Sequence, residues 1–169
     1  MDRPILTDGV VTLRPSRPED ADAITAACQD PELHRWLLVL PWPYGREDAV
    51  EFIARSAEDA AAWRAWHLVA VDAEDRVIGG FGVTGGELGY WVAREARGRG
   101  VATPAVMLLR DWAHAALGRR RLELLIHPDN TPSRRVAERA GFVDTGELRV
   151  PPRGEDPDPH VVYEWRSEA

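Results

Sequence analysis

A short basic turn carries the clearest chemical signal in this chain. The turn consists of Arg97, Gly98, Arg99 and Gly100. It follows the apolar segment ELGYWVA and precedes a helix predicted to begin near Thr103. A glycine-rich turn at a helix start leaves backbone N–H groups unpaired, and the helix dipole adds positive potential there. Glycines let a ligand approach the backbone closely, and the arginines add charge. The turn therefore predicts a phosphate or polyphosphate site, with an ordinary turn carrying solvated arginines as the plainer alternative.

Two common phosphate-binding patterns fit this turn poorly. A P-loop ends in Gly-Lys-Ser or Gly-Lys-Thr, and the chain contains no lysine. The dinucleotide fingerprint needs a third Gly or Ala where Thr103 stands, and an acidic residue at a strand end about 20 residues later. Glu123 has about that spacing, but it lies inside the segment LELLI, which is typical of a mid-strand polar residue. A dinucleotide site is therefore the weaker interpretation.

The remaining pattern, Arg97-x-x-Gly100-x-Ala102, resembles the Q/R-x-x-G-x-G/A acyl-CoA loop of the GNAT superfamily of N-acetyltransferases. The segment ELGYWVAREARGRGVATPAV is similar to the central strand, loop and helix of the RimJ/RimL-type acetyltransferases, which act on ribosomal-protein N-termini. HPDNTPSRRVAERAGF, VTLRPSRPEDADAI and PWPYGREDAVEFI resemble further segments of that group, in the same order. The resemblance covers nearly the whole chain. It implies a GNAT fold, with acetyl-CoA as the donor substrate and a primary amine as the acceptor.

The resemblance also implies which residues hold the donor. The diphosphate of coenzyme A is expected on the backbone N–H groups of one continuous segment. Its members are Arg97, Gly98, Arg99, Gly100, Val101, Ala102 and Thr103. The pantetheine arm is expected to pair like an extra strand beside Trp91, Val92 and Ala93, and Asn130 matches the family asparagine that bonds this arm. Asn130 has a plainer alternative role as a turn residue before a helix.

Two catalytic residues are predicted. Ser133 matches the family serine proposed to protonate the departing thiolate, with a local bond in the first turn of a helix as its alternative role. Glu87 begins the central strand and is the candidate general base, acting through water. His127, at the end of the next strand, is its rival, because imidazole changes its charge near neutral pH. Tyr90 and Trp91 are interpreted as packing residues.

The acceptor side is less well defined by the sequence. The acidic segment GEDPDP could bring Glu155, Asp156 and Asp158 to its mouth, where they would attract a cationic amine. A solvated surface loop is the alternative. The acceptor could be a protein or peptide N-terminus or a small amine, and succinyl-CoA could replace acetyl-CoA. A non-catalytic acyl-CoA-binding module and a dinucleotide oxidoreductase remain as other classes of function.

Hydrophobic periodicity predicts the elements that must position these residues. A first strand at residues 10–15 is followed by helices within residues 16–30, 31–38 and 46–63. Three strands of a meander follow, in the segments AWHLVAVD, RVIGGFGVT and ELGYWVA. A helix over residues 103–117, a strand, a helix over residues 131–141 capped by Thr131, and two late strands complete the chain. This predicts an α/β (α+β) fold with about seven strands and helices on both faces. The resemblance adds a mostly antiparallel order and a splayed central strand pair.

Composition narrows the class of function. The formal net charge is −7, which argues against nucleic acid as a partner. Cys28 is the only cysteine and the five histidines are scattered, so no metal site is predicted. No signal peptide or membrane span is recognisable, which favours a cytoplasmic protein. The length of 169 residues suits a single domain over 1–169, and the family resemblance allows a homodimer.

Overall fold

Strands and helices follow the order predicted from the sequence, with one addition at the start. The computed structural model describes residues 4–37, 39–151 and 158–167. The strands are β1 (Leu6–Thr7), β2 (Thr12–Pro15), β3 (Ala65–Val71), β4 (Val77–Thr84), β5 (Glu87–Val92), β6 (Arg121–Ile126), β7 (Val143–Arg149) and β8 (His160–Arg166). The helices are α1 (Ala21–Cys28), α2 (Pro31–Trp36), α3 (Arg46–Ala61), α4 (Ala102–Leu117) and α5 (Thr131–Arg139).

The strands form one sheet in the order β1-β2-β3-β4-β5-β6-β8-β7. Neighbouring strands are antiparallel except for β5 and β6, which are parallel. The tight β4–β5 turn uses Gly85 and Gly86, whose φ angles of 61° and 111° suit glycine. The predicted mixed, mostly antiparallel sheet with helices is therefore confirmed.

The parallel strands β5 and β6 separate after a short contact. Only Glu87 with Glu123 and Leu88 with Leu124 are paired, although β5 continues to Val92 and β6 to Ile126. A gap consequently opens in the middle of the sheet from Gly89 onward, and one edge of β5 borders it. This is the splayed pair that the resemblance implies, and a strand-like ligand could lie in it.

Side chains alternate between the two faces of β5, so each face meets a different set of helices. Leu88, Tyr90 and Val92 pack with the core formed under α4 and α5. Trp91 packs instead against the core under α1 and α3. By the same alternation, Glu87 and Gly89 lie on the α1/α3 face.

Two local expectations are corrected by the structure. Within the described residues the sheet has eight strands instead of seven, because the two-residue strand β1 pairs with β2. Two residues are too few to give a periodic signal in the sequence. The side chain that caps α5 is Asn130, not Thr131: its Oδ1 accepts from the Ser133 N–H at 3.2 Å. Proline is tolerated at either of the first two helical positions, so Pro132 does not fix the cap to one residue.

Candidate active site

The basic turn leads directly into α4 and carries a run of unpaired amides. Gly98 and Gly100 have φ angles of 72° and 76°, in the left-handed region that favours glycine. The Arg97 N–H donates to the Arg94 carbonyl, and the Ala105 N–H donates to the Val101 carbonyl. Between these two, the amides of residues 98–103 have no acceptor in the part of the chain that the structure describes. The turn is therefore an anion-binding surface made of backbone, at the positive end of a 16-residue helix.

The two arginines of the turn have different surroundings. The Arg97 side chain points inward: Nε donates to the Val92 carbonyl at 3.0 Å, and an Nη atom lies 2.7 Å from the carboxylate of Asp30. Asp30 also caps α2, since its side chain accepts from the Glu32 N–H. Arg97 thus ties the turn to β5 and to the start of α2. Arg99 is exposed, and no acidic partner is found for it among the described residues.

This difference gives a prediction for two arginine variants. Arg97→Ala would leave the buried Asp30 carboxylate without its cation, so we expect the free energy of unfolding to fall by about 2 kcal/mol. Arg99→Ala should change it by less than about 0.5 kcal/mol and should instead weaken acetyl-CoA binding, most clearly at low salt. Thermal unfolding and calorimetric titration of both variants measure the two effects. Equal losses of stability in the two variants would contradict this assignment.

The hydrogen-bond pattern decides which backbone groups of β5 face the gap. The Ala93 N–H donates to the Ile78 carbonyl at 2.9 Å, so Ala93 and, by alternation, Trp91 direct their backbone groups toward β4. The Val92 carbonyl accepts from Arg97 on the opposite side of the strand. Tyr90 and Val92 therefore direct their backbone groups toward the gap, and the Val92 N–H is a donor there.

Two hydroxyl groups meet across the space between β5 and α5. The Tyr90 hydroxyl lies 2.8 Å from the Ser133 Oγ. Burial raises the pKa of the Tyr90 phenol to about 12. Ser133 is held through its own N–H by Asn130, whose side-chain NH₂ has no partner among the described residues. The side chains of Asn130 and Ser133 therefore lie together near the gap.

Gly82 and Gly89 form an open surface on the α1/α3 face of the sheet, the glycine floor. Gly82 pairs with Gly89, and a Cβ atom at Gly89 would meet no other atom within 4 Å. A Cβ at Gly82 would lie 2.4 Å from the His67 Nδ1, so the imidazole occupies the space above that glycine. Glu87 is exposed and lies beside this floor. The floor connects Glu87 and His67 with the edge of β5 that borders the gap.

An open pocket of about 710 Å³ adjoins this floor, between α3 and the strands β3 and β4. His67 and Thr84 line it from the sheet. Two of its carboxylates are paired with arginines, Glu51 with Arg55 and Asp59 with Arg64. The third, Asp48, accepts from the Gly45 N–H, so the pocket carries one carboxylate in excess.

His127, the rival base, has local partners. Its Nδ1 accepts from the Asp129 N–H at 3.1 Å, and its Nε2 lies 3.5 Å from the Asp158 carboxylate. Its ring also lies near those of Trp36 and His160. Asp158 is thus placed beside His127, whereas Glu155 and Asp156 lie outside the described residues.

Two structural features are absent from residues 4–37, 39–151 and 158–167. No group of three or more His, Cys, Asp or Glu side chains is placed to hold a metal ion. No helix combines the length and the apolar character needed to cross a bilayer.

Comparison with known proteins decides the family. Residues 11–143 match the Acetyltransferase (GNAT) domain. The chain belongs to the GNAT acetyltransferase family. The uncharacterized N-acetyltransferase p20 of Bacillus licheniformis is 30% identical over 148 residues, which cover 82% of each chain. The enzyme is accordingly an acetyl-CoA-dependent N-acetyltransferase, and the family assignment made from the sequence is confirmed.

Solved structures of other proteins share the fold of this GNAT enzyme. The RimJ protein of Mycobacterium smegmatis, in complex with CoA-disulfide, superposes with a TM-score of 0.84 at 24% identity. The similarity covers 97% of this chain and 86% of that one. Ribosomal-protein-S5-alanine acetyltransferase from Vibrio fischeri gives a TM-score of 0.83 at 20% identity and 96% coverage of both chains. At these identities the similarity supports the fold alone.

Sequence reasoning missed two features of the GNAT site. Asp30 is the partner of Arg97 although 67 positions separate them in the printed sequence, and an aspartate before Pro31 signals only a helix cap. Tyr90 was interpreted as a packing residue. It does stack on Phe81, with ring centroids 5.4 Å apart, but its hydroxyl also reaches Ser133. No local pattern identifies the partner of a tyrosine hydroxyl.

Proposed function

We propose that this GNAT enzyme transfers the acetyl group of acetyl-CoA to a primary amine by direct attack within a ternary complex. One observation supports this most strongly: the unpaired amides of residues 98–103 lie at one end of the gap that opens beside β5. A diphosphate on the turn would let the attached arm run along that gap toward Ser133. The amine would then approach from the other face, over Gly89.

The residues around the turn and the gap fit coenzyme A in chemical type. Backbone amides, the helix dipole and Arg99 suit its diphosphate. The Val92 N–H and the NH₂ of Asn130 supply donors for the amide carbonyls of the pantetheine arm or the thioester carbonyl. Trp91 on β5 and Ala93 directly after β5 stay in the proposed site as the neighbours of Val92, with their backbone groups directed to β4. The proposal thus assigns the donor contacts of this strand mainly to Val92.

Two substitutions of Asn130 separate its role as the cap of α5 from its proposed role as a donor to acetyl-CoA. Asn130→Asp keeps an oxygen that can cap α5 but removes the NH₂ donor, so stability should be unchanged while acetyl-CoA binds roughly 5-fold more weakly. Asn130→Ala removes both, so unfolding should also become easier by about 1 kcal/mol. Calorimetric titration and thermal unfolding of the two variants give both quantities. Wild-type affinity in Asn130→Asp would remove Asn130 from the proposed donor site.

Ser133 and Glu87 divide the proposed proton transfers between the two faces of the sheet. Ser133 lies on the α4/α5 side of the gap, where it would protonate the departing thiolate. Glu87 lies on the α1/α3 face beside the glycine floor, where it would accept the proton of the amine through water. Each ring nitrogen of His127 already has a partner: Nδ1 accepts from the Asp129 N–H, and Nε2 faces the Asp158 carboxylate. Glu87 is therefore the better candidate to accept the proton of the amine.

The acceptor proposed is an α-amine or an amine of similar basicity. At pH 7 an α-amine with a pKa near 8 costs about 1 kcal/mol to deprotonate, whereas a lysine amine costs roughly 4 to 5 kcal/mol. An exposed carboxylate that acts through water is a weak base, so it suits the easier deprotonation. The pocket adjoining the floor has one carboxylate, Asp48, in excess of its arginines, which would favour such a cation. A peptide N-terminus and a small α-amine both meet this requirement.

A thiol-release screen tests this function. Acetyl-CoA is offered with peptides of varied first residue, polyamines and amino-acid derivatives, and the acetylated product is verified by mass spectrometry. We expect release with at least one α-amine, slower release with Glu87→Gln, and slower release with succinyl-CoA. Binding of acetyl-CoA without release to any amine would favour the non-catalytic module instead. An NADH fluorescence titration should show no binding, which would separate the enzyme from an oxidoreductase.

A further inference from the structure

Resting on the proposed function, we propose that Tyr90 is a positioning residue for proton donation by Ser133. In this arrangement the Tyr90 O–H donates to the Ser133 Oγ. The O–H of Ser133 can then point into the gap, toward the departing sulfur. Tyr90 would not contact the reacting atoms itself and would act through Ser133.

The contact joins two elements on either side of the gap. The two oxygens are 2.8 Å apart, which is the usual separation for a hydrogen bond between hydroxyls. Tyr90 belongs to β5, and Ser133 to the first turn of α5. At Tyr90, β5 and β6 are no longer paired. The hydrogen bond between the two hydroxyls therefore spans the gap on its α4/α5 side.

Both side chains are held in place by other contacts. The Tyr90 ring stacks on Phe81, with an angle of 5° between the planes. Ser133 is fixed at its backbone by the Asn130 cap. Its hydroxyl bonds to Tyr90, and among the described residues it makes no bond to a backbone carbonyl of its own helix. The alternative role for Ser133 as a helix serine with a local bond is therefore not the one this geometry favours.

The chemistry of the two hydroxyls decides which one donates. Each carries a single proton, and a phenol is the stronger acid, so the phenol is the better donor and the alcohol oxygen the better acceptor. Burial keeps the phenol protonated, since it raises the pKa of Tyr90 to about 12. Donation by Tyr90 also stabilises the serine oxygen as it gives up its own proton.

The step balances without any further reactant. The amine nitrogen attacks the thioester carbon, and the carbon–sulfur bond breaks with its electron pair going to sulfur. Ser133 gives its proton to that sulfur, and the Tyr90 proton moves to the serine oxygen, because the phenol is the stronger acid of the two. The proton lost by the nitrogen returns through solvent to the Tyr90–Ser133 pair, so both hydroxyls are restored. The products are the amide and the free thiol.

A double-mutant cycle tests the inference, measured as single-turnover rates with the protein in excess. Tyr90→Phe removes the hydroxyl and keeps the ring, so we expect a roughly 10-fold slower rate with unchanged acetyl-CoA affinity. In a Ser133→Ala background the same change should have no further effect, because the acceptor of the hydrogen bond is already gone. Tyr163→Phe is the matched control, since this buried phenol accepts from Arg134 of α5 at 2.9 Å. It should leave the rate unchanged.

A second readout separates positioning from a structural role. With the selenoester analogue of acetyl-CoA, the leaving selenol is a stronger acid and needs no proton, so Tyr90→Phe should approach the wild-type rate. The inference is overturned by independent, multiplicative effects of the two changes, by an equal loss in Tyr163→Phe, or by a persistent defect with the selenoester. An unchanged rate in Tyr90→Phe overturns this inference and leaves the proposed function standing. A wild-type protein that is inactive with every amine overturns both.

Discussion

Gly100→Val is expected to weaken acetyl-CoA binding roughly 100-fold or more. The φ angle of Gly100 is 76°, which a β-branched residue adopts only with strain. A valine there would either shift the turn or place its side chain where the diphosphate would lie. Each lost hydrogen bond to a charged phosphate is worth about 1.5–3 kcal/mol, so the loss of two suffices for this effect. Calorimetric titration with acetyl-CoA measures it.

Gly146→Val provides the control for backbone strain. Gly146 has a φ of 73°, and, as at Gly100, a Cβ atom would meet nothing within 4 Å. It lies in β7, away from the basic turn. Both variants should lose a similar amount of stability, about 1–2 kcal/mol, but only Gly100→Val should lose acetyl-CoA binding. Normal binding by Gly100→Val would show that the turn does not hold the diphosphate, and the proposed donor site would be abandoned.

Ser133→Ala is expected to lower the turnover rate roughly 100-fold with less than a 3-fold change in acetyl-CoA affinity. General acid catalysis typically contributes about that much, and the proposed role of Ser133 arises only when the thiolate departs. The backbone N–H at position 133, which donates to the Asn130 side chain, is retained in alanine. The N-terminal cap of α5 should therefore be unchanged. Thiol release under saturating substrates and calorimetric titration measure the two quantities.

Thr131→Ala is the matched hydroxyl deletion. Thr131 lies in the same helical turn, is exposed, and its hydroxyl has no partner in the described ranges. Its loss should leave turnover within about 2-fold of wild type. If Ser133→Ala were equally harmless, Ser133 would not be the proton donor, and the thiolate would have to be protonated by water. The donor site on the basic turn would be unaffected by that result.

Secondary-structure elements and local motifs follow from neighbouring residues along the chain. Glycines spaced around arginines before a helix start predict an anion-binding turn from neighbouring residues alone, and the structure gives both glycines positive φ. Alternation likewise predicted seven of the eight strands in the described residues, and helical periodicity predicted the five α-helices, because these signals repeat within one element. The family assignment followed from the order of such motifs along the chain.

The partners that those local elements meet depend on the packing of the folded chain. The sequence suggested Arg97 as a positive charge for the ligand, but folding turns it toward Asp30, far away along the chain. Trp91, Val92 and Ala93 are equivalent as a sequence motif. Pairing with β4 leaves only Val92 of the three with its backbone directed to the gap. Tyr90 meets Ser133 only because β5 and α5 are brought together across that gap. Periodicity describes one element at a time, whereas side-chain partners depend on how separate elements pack.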